Sequence, residues 1–180
     1  MLHFVLGGAR SGKSRFAENL AKQFESQGKT VFYVATATTQ YTDENGQTSV
    51  NQEMLQRIEI HQSDRPNHWK TIESAIHLSK TLQSLDSQNH CILIDCLTLW
   101  SLNLLEAGLM QSEKQNLMAC LATLSAEVIM VSNEVGMGIV PLGEFTRQYV
   151  DELGWLHQEV AAAAHSMTFM VAGQPITVKD

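Results

Sequence analysis

The chain has 180 residues, of which 44% are hydrophobic and 17% are charged, and its formal net charge is −7. This length and composition predict one globular domain, spanning residues 1–180, that is large enough to bury a core. The negative charge argues against a nucleic-acid partner, because such binding depends mainly on Lys and Arg neutralising phosphates.

The cysteines predict a reducing environment. Cys91, Cys96 and Cys120 are odd in number, form no C-x-x-C pair and lie largely in apolar surroundings. We interpret them as buried free thiols of a cytoplasmic protein. The N-terminus shows no charged leader followed by an apolar segment, and no apolar run is long enough to span a bilayer, so we predict no transmembrane segment.

The first motif follows a short apolar strand at Leu2–Leu6. It fits the phosphate-binding pattern G-x-x-x-x-G-K-[ST], the P-loop, and comprises Gly7, Gly8, Ala9, Arg10, Ser11, Gly12, Lys13 and Ser14. Its glycines let backbone N–H groups converge, and the following helix adds partial positive charge. We expect Lys13 to contact the β- and γ-phosphates and Ser14 to offer its hydroxyl to Mg²⁺. A glycine-rich turn that binds nothing is the alternative, and the spacing and flanks disfavour it.

The elements after the P-loop alternate between helix and strand. The predicted order is helix Arg15–Gln27, strand Thr30–Thr36, a polar excursion over about 37–51, helix Gln52–Gln62, strand Trp69–Glu73, helix Ser74–Leu85, strand His90–Asp95, helices Leu97–Ala107 and Ser112–Leu124, strand Glu127–Ser132, loop Asn133–Pro141, helix Leu142–Ala164 with a possible break near Gly154, strand Met167–Ala172 and edge strand Ile176–Val178. This alternation predicts an α/β fold with a mostly parallel sheet covered by helices on both faces.

Ligands of such sheets bind beyond the carboxyl ends of the strands. The residues at those ends are therefore candidates, namely Ala35, Thr36, Ala37, Asp95, Asn133, Glu134 and Gly173. An acid that ends an apolar strand beside a P-loop often helps to hold Mg²⁺, partly through water. We assign that role to Asp95, with a plain capping residue as the alternative.

Two further stretches carry chemistry-bearing residues. His61 lies near Arg57, Asp64 and Arg65, and a neutral imidazole is a competent nucleophile toward phosphorus. A structural or solvated histidine is the alternative. The loop Asn133–Pro141 holds Asn133 and Glu134 ahead of two glycines, Gly136 and Gly138, which favours a mobile site loop over a plain surface turn.

Taken in order, the motifs resemble one family. They are the P-loop, Glu53-Met54-x-x-Arg57-Ile58-x-x-His61, Arg65-Pro66-x-x-Trp69-x-Thr71-x-Glu73, Asp95-Cys96-Leu97-Thr98-Leu99-Trp100 and Ser132-Asn133-Glu134-Val135-Gly136-Met137-Gly138-Ile139-Val140-Pro141. Together they closely resemble the bifunctional adenosylcobinamide kinase / adenosylcobinamide-phosphate guanylyltransferase of cobalamin biosynthesis, over essentially the whole chain.

The resemblance implies a RecA-like P-loop NTPase fold, a homotrimer and two reactions. A nucleoside triphosphate, ATP or GTP, phosphorylates adenosylcobinamide. His61 then attacks the α-phosphate of GTP and passes GMP to adenosylcobinamide phosphate, giving adenosylcobinamide-GDP. By resemblance, the nucleotide contacts are residues 7–14, Ala35, Thr36, Ala37, Gln62, Ser63, Asp64, Arg65, Glu73 and Asp95, and the metal is Mg²⁺ at Ser14 and Asp95.

The chain departs from the family pattern in three places. The segment between Thr36 and Glu53 is longer than expected, and a string that resembles Asp-Asp-Glu-Met in the family is here Asn51-Gln52-Glu53-Met54. A helix that usually reads Phe-Arg-Asp-x-x-Gly-Arg-x-Asn-Gln runs here from Tyr149 to Gln158, with Val150, Trp155 and His157 among the changed positions. The alternatives to the bifunctional enzyme are a P-loop small-molecule kinase without a covalent intermediate and a non-catalytic nucleotide-switch module.

Overall fold

The structure, a computed structural model, describes residues 1–37, 40–42, 48–50 and 66–180. The predicted helix Gln52–Gln62, and with it His61, lies outside the described residues. Across the described part of the chain, none of the helices combines the length and apolar character that a bilayer crossing needs.

Nine strands and five helices are described within these ranges. The strands are β1 (Leu2–Gly7), β2 (Thr30–Ala35), β3 (Gln40–Thr42), β4 (Thr48–Val50), β5 (Lys70–Glu73), β6 (His90–Asp95), β7 (Glu127–Asn133), β8 (Ser166–Val171) and β9 (Gln174–Lys179). The helices are α1 (Lys13–Ser26), α2 (Leu78–Ser84), α3 (Leu97–Glu106), α4 (Met110–Leu121) and α5 (Glu144–Ala163).

The main sheet has the strand order β5-β2-β6-β7-β1-β8-β9. Its strands are parallel except for β9, which pairs antiparallel with β8 at the edge. The predicted mostly parallel sheet and its edge strand are therefore confirmed. Within the predicted polar excursion, β3 and β4 form a separate antiparallel pair.

Alternate side chains of the central strands build two cores, one on each face of the sheet. Phe4 of β1 packs with residues of α2, α3, α4 and α5 on one face. Val5, its neighbour, packs with Ala17, Ala21 and Phe24 of α1 on the other. Since strand side chains alternate between faces, a strand buried on both sides reads as a continuous apolar run. The three cysteines are free and buried, as predicted.

Two predicted features of the helices are wrong, each because packing overrides a local signal. The first is the start of α2, which begins at Leu78 rather than Ser74 because tertiary hydrogen bonds occupy the backbone before it. The Asn103 amide donates to Ala75 O, and the Trp100 indole donates to Ile76 O.

The second is the possible break near Gly154, since α5 is unbroken there. Leu153 and Leu156 on either side of the glycine are fully buried. Their packing offsets the roughly 1 kcal/mol that glycine costs inside a helix.

Candidate functional site

The predicted site residues lie at the carboxyl edge of the sheet. Ala35 of β2 is in register with Glu73 of β5 on one side and with Asp95 of β6 on the other. Gly7 of β1 is in register with Asn133 of β7. Parallel register thus places residues from five distant parts of the sequence along one edge, where this class of sheet binds ligands.

The P-loop, residues 7–14, forms the turn between β1 and α1. The Ser11 N–H donates to Gly8 O at 3.3 Å. Arg10 and Gly12 have left-handed φ values of 55° and 93°. Such changes of backbone hand direct N–H groups into one concavity, which is an anion-binding geometry. α1 begins at Lys13, so the positive end of its dipole faces the same concavity.

The turn between β8 and β9 supports the P-loop from behind. The Gly173 N–H donates to Ser11 O at 2.9 Å. A Cβ atom added at Gly12 would lie 3.3 Å from Gly173 Cα. A Cβ atom added at Gly7 would lie 2.5 Å from Met170 O, so no side chain fits between β1 and β8 at that point.

The Lys13 side chain is buried against the P-loop, and its Nζ donates to Gly8 O. Burial lowers the pKa of Lys13, and the nearby Cys96 and Asp95 oppose that shift. An anion bound in the concavity favours the charged ammonium in the same way. A phosphate bound there would therefore oppose the effect of burial on the pKa of Lys13, as Asp95 does.

The Asp95 carboxylate accepts hydrogen bonds from two hydroxyl groups. Ser14 Oγ donates to Asp95 Oδ2 at 3.3 Å, and the Tyr33 hydroxyl donates to the same oxygen at 2.9 Å. Tyr33 is a site residue that the sequence prediction missed. Its signal was a phenol inside a buried strand, since a buried Tyr hydroxyl usually finds a hydrogen-bond partner.

The donor set of Ser14 and Asp95 fits Mg²⁺. Both supply oxygen, which Mg²⁺ prefers over nitrogen and sulfur. The described residues contain no group of three or more His, Cys, Asp and Glu side chains that could hold a metal ion. Mg²⁺ typically binds one or two protein ligands together with substrate phosphates and water, and Ser14 with Asp95 would supply two.

Thr36 uses its polar groups inside the protein. Its Oγ1 donates to Cys96 O at 2.7 Å and accepts from Cys96 N at 2.8 Å. Its carbonyl accepts from the Asn103 amide at 2.9 Å, and its N–H donates to Asp95 O at 3.3 Å. These bonds join the ends of β2 and β6 and so hold Asp95 in place. The alanines on either side of Thr36 are partly exposed toward the edge.

The loop Asn133–Pro141 is anchored at its base. The Asn133 N–H donates to Thr98 Oγ1 at 2.7 Å, and the Glu134 N–H donates to Gly7 O at 2.9 Å. The Glu134 carboxylate accepts from the Gly136 N–H. Thus Glu134 borders the first residue of the P-loop.

The tip of this loop projects into solvent. Ile139 is 97% exposed and Met137 is 80% exposed, and Leu142, the residue that follows the loop, is 97% exposed. A Cβ atom added at Gly138 would meet no atom within 4 Å. The loop therefore combines a fixed polar base with an exposed apolar tip.

Comparison with known proteins decides the family. A sequence model described as cobinamide kinase / cobinamide phosphate guanyltransferase matches residues 3–178. The chain is 45% identical over 182 residues to the bifunctional adenosylcobalamin biosynthesis protein CobP of Pseudomonas aeruginosa, covering 99% of this chain and 98% of that protein.

The chain belongs to the cobinamide kinase / cobinamide phosphate guanyltransferase family. It is also 35% identical over 196 residues to the bifunctional adenosylcobalamin biosynthesis protein CobU of Escherichia coli, covering 99% of this chain and all of that protein. The resemblance to the bifunctional kinases and guanylyltransferases of cobalamin biosynthesis is confirmed, and with it the prediction of an enzyme.

The fold of this family member is that of P-loop ATPases. The structure matches a solved ATPase domain with a TM-score of 0.51 and 14% sequence identity, covering 93% of this chain and 68% of that one. The predicted P-loop NTPase fold is confirmed.

The predicted nucleophile, His61, lies outside the described residues. The predicted nucleotide contacts Gln62, Ser63, Asp64 and Arg65 lie outside them as well, so the roles of all five residues stay predictions. The described chain resumes at Pro66 beside α1. There His68 Nε2 lies 2.7 Å from Glu25 Oε1, and the Trp69 indole donates to the same oxygen at 3.0 Å.

The three residues that depart from the family pattern occupy different environments. Val150 faces the site loop, since a Cβ atom added at Gly136 would lie 3.6 Å from Val150 Cγ1. Trp155 is 52% exposed. His157 is only 7% exposed, and its Nε2 lies 2.7 Å from Ser132 Oγ. Two of the three departures thus lie next to the site loop or just below it.

Proposed function

We propose that one nucleotide site at the carboxyl edge serves both reactions of the family. A nucleoside triphosphate phosphorylates adenosylcobinamide, and GMP from GTP is then transferred to adenosylcobinamide phosphate, giving adenosylcobinamide-GDP. The observation that carries the proposal is the convergence of Lys13, Ser14 and Asp95 at the end of the P-loop. One cradle can hold a triphosphate for cleavage at either its γ- or its α-phosphorus.

In the kinase step, the hydroxyl oxygen of adenosylcobinamide attacks the γ-phosphorus. A new P–O bond forms, the hydroxyl proton is released to solvent, the bond to the β-phosphate oxygen breaks, and a nucleoside diphosphate leaves. Lys13 and the P-loop N–H groups stabilise the charge on the phosphates. Ser14 and Asp95 would hold Mg²⁺, which supplies further charge neutralisation when bound.

In the guanylyl step, an imidazole nitrogen of His61 attacks the α-phosphorus of GTP. A P–N bond forms and pyrophosphate leaves from the P-loop, where Lys13 neutralises its charge. A phosphate oxygen of adenosylcobinamide phosphate then attacks the same phosphorus. The P–N bond breaks, and the new P–O–P linkage carries GMP on the corrinoid.

The remaining predicted site residues would contact the nucleotide or the acceptor. Glu73 ends β5 at the exposed margin of the sheet edge, and Arg10 is exposed on the P-loop. The base of the site loop, with Asn133 and Glu134, borders Gly7. Nucleotide contacts are also assigned to Ala35, Ala37, Gln62, Ser63, Asp64 and Arg65.

We further propose that the chain is a single nucleotide-binding domain that assembles as a homotrimer without nucleic acid. The exposed apolar residues Ile139 and Leu142 support assembly, because contiguous exposed apolar surface commonly marks interaction sites. The net charge of −7 supports the absence of nucleic acid.

The experiment that tests this function is labelling with GTP. The protein is incubated with GTP and Mg²⁺ and analysed by intact-mass and peptide mass spectrometry. We expect one GMP adduct on His61 that is lost in acid, as expected for a P–N bond. His68→Ala is the matched control, because His68 is an exposed histidine paired with Glu25 and should leave labelling unchanged.

The division of labour has its own test. We expect His61→Ala to abolish the adduct and to leave phosphorylation of adenosylcobinamide by ATP or GTP largely intact. A protein that binds GTP without forming an adduct is not a guanylyltransferase of this mechanism. A folded His61→Ala variant that loses both activities contradicts the separate roles.

A further inference from the structure

A buried chain of hydrogen bonds connects α5 to the base of the site loop. His157 Nε2 lies 2.7 Å from Ser132 Oγ, and Ser132 Oγ lies 3.2 Å from Thr98 Oγ1. Thr98 Oγ1 in turn accepts from the Asn133 N–H at 2.7 Å. The three side chains of this relay are buried, so water does not compete for these bonds.

The relay ends where the loop meets the P-loop. The Asn133 N–H is held by Thr98, and the next N–H, that of Glu134, is held by Gly7 O at 2.9 Å. The backbone between these two amides sets the direction in which the Asn133 and Glu134 side chains leave β7. A change in the relay therefore reaches the polar groups that border the phosphate cradle.

The His157 ring is suited to a fixed role. It packs against Phe4 with the ring centroids 5.6 Å apart. Burial lowers the pKa of His157 to about 4, and nearby Glu134 opposes that shift. The ring is therefore neutral at neutral pH, and one nitrogen can donate or accept a single hydrogen bond without placing a charge in the core.

We propose that His157 is a positioning residue for the proposed transferase site, acting through Ser132 and Thr98 on the base of the loop at Asn133 and Glu134. The proposal rests on the proposed function of that site. His157 is buried, so it would act on the site without contacting substrate. A purely structural histidine would contribute to stability and leave turnover unchanged, and this difference separates the two roles.

The test compares variants that break the same bond from either side. His157→Phe keeps a ring but cannot bond to Ser132, and Ser132→Ala removes the partner hydroxyl. Each should lower kcat for phosphorylation of adenosylcobinamide about tenfold, because small displacements at a reacting centre are costly. The KM and Kd for the nucleotide should change less than about twofold, since the bonds within the P-loop do not involve His157.

Two further variants sharpen the comparison. The double variant His157→Phe/Ser132→Ala should be no slower than either single variant, because both remove one shared bond. His157→Gln places an amide near the position of Nε2 and should recover most of the lost kcat. Hydrogen exchange of the Asn133 and Glu134 amides should be faster in His157→Phe and close to normal in His157→Gln.

Gln111→Ala is the matched control. It removes hydrogen bonds of 3.1 and 3.2 Å that Gln111 of α4 donates to Glu152 of α5, and neither residue belongs to the relay. It should lower stability with kcat unchanged. If His157→Phe behaves in the same way, or if the losses in the double variant add, the positioning role is wrong. Should His157→Phe fail to fold, Ser132→Ala and His157→Gln decide the outcome.

These outcomes are separable from failure of the proposed function. A wild-type protein that neither phosphorylates adenosylcobinamide nor labels with GTP would overturn the proposed function itself. An active wild type with a fully active His157→Phe variant overturns only the positioning role.

Discussion

Ser14 Oγ lies 3.3 Å from Asp95 Oδ2, although a whole strand separates β1, which leads into the P-loop, from β6, which ends in Asp95. β7 is inserted between β1 and β6, and Ser14 reaches Asp95 because it lies on α1, which crosses over that face of the sheet. Placing the P-loop helix over β7 thus brings the hydroxyl and the carboxylate together. The carboxyl end of β7 thus lies between the P-loop and Asp95, at the proposed triphosphate site.

Removing the Tyr33 hydroxyl should weaken the metal site without removing a ligand. In Tyr33→Phe, Asp95 loses the 2.9 Å hydrogen bond that fixes its carboxylate. We expect the Mg²⁺ concentration for half-maximal activity to rise severalfold, because groups that orient metal ligands affect metal affinity. Titration of GTP labelling with Mg²⁺ measures this.

Tyr149→Phe is its control, because it removes another phenol hydrogen bond, 3.0 Å to Thr98 O, in which Asp95 takes no part. Each substitution should cost about 1 kcal/mol of stability. An equal Mg²⁺ requirement in both variants would show that Tyr33 does not act on the metal site.

Adjacent glycines of the P-loop should differ sharply in their tolerance of a methyl group. In Gly7→Ala the new Cβ would lie 2.5 Å from Met170 O, a backbone atom, so β1 and β8 must move apart. In Gly8→Ala the new Cβ meets nothing within 4 Å. We expect Gly7→Ala to lower the free energy of unfolding by about 2 kcal/mol or more, as is typical of overpacking. Denaturant unfolding without nucleotide measures both, and equal stabilities would contradict the close approach.

Asp86 should contribute an acid-sensitive part of the stability. Burial raises the pKa of Asp86, but hydrogen bonds from the Ala126 N–H and from the Ser125 N–H and hydroxyl outweigh that effect, so the net pKa is below its ordinary value of 3.8. Because the pKa is lower in the folded protein than in the unfolded chain, the ionised carboxylate stabilises the fold fully above pH 3.8. That stabilisation is lost as the pH falls through the pKa of the folded state.

Asp86→Ala should therefore cost about 1 kcal/mol at pH 7, because the carboxylate is exposed and screened. Asp86→Asn, which keeps an acceptor, should cost less. The free energy of unfolding of the wild type and of both variants is measured from pH 7 to pH 3. The difference between the wild type and Asp86→Ala should become smaller as the pH falls. A difference that stays constant with pH would rule out the charge of Asp86 as its origin.

Gly173 should tolerate only residues that adopt a left-handed backbone. Its φ is 81°, and its N–H donates to Ser11 O. Gly173→Asn should retain nucleotide binding, because Asn enters this region at low cost. Gly173→Val should weaken nucleotide binding about tenfold, since β-branched residues are strained there and the contact with Ser11 shifts. Equilibrium binding of a fluorescent GTP analogue measures the affinity of both variants. If Gly173→Asn and Gly173→Val bind the analogue equally well, this turn does not support the P-loop.

Much of this architecture is predictable from the sequence because its signals are local. The P-loop pattern and the apolar run ending in Asp95 each predict a strand and the end of that strand at which a ligand binds. The start of α2 is not predictable in this way. Ser74 to His77 carry a helical pattern, yet their backbone is held by Asn103 and Trp100 from α3, which only the fold brings near.

The residues of the candidate site also fall into two groups, those with a local sequence signal and those identified only by their tertiary contacts. Groups that face a ligand lie in recognisable motifs, so Lys13 and Ser14 are predictable. Groups that hold those residues in place are scattered, and Tyr33, Ser132 and His157 became visible only through their distances. A buried Tyr or His needs a hydrogen-bond partner, but the sequence does not say which partner it finds.

The contact between Gly173 and Ser11 joins the last turn of the sheet to the first motif of the chain. β1 itself is hydrogen-bonded between β7 and β8, both of which are encoded in the last third of the sequence. During synthesis, the P-loop segment therefore leaves the ribosome long before its neighbours exist, and β1 waits with both edges unpaired. Such long-range pairing slows folding. The nucleotide site, whose first motif spans residues 7–14, is therefore completed only after β8 and the turn at Gly173 have been synthesised and have paired with it.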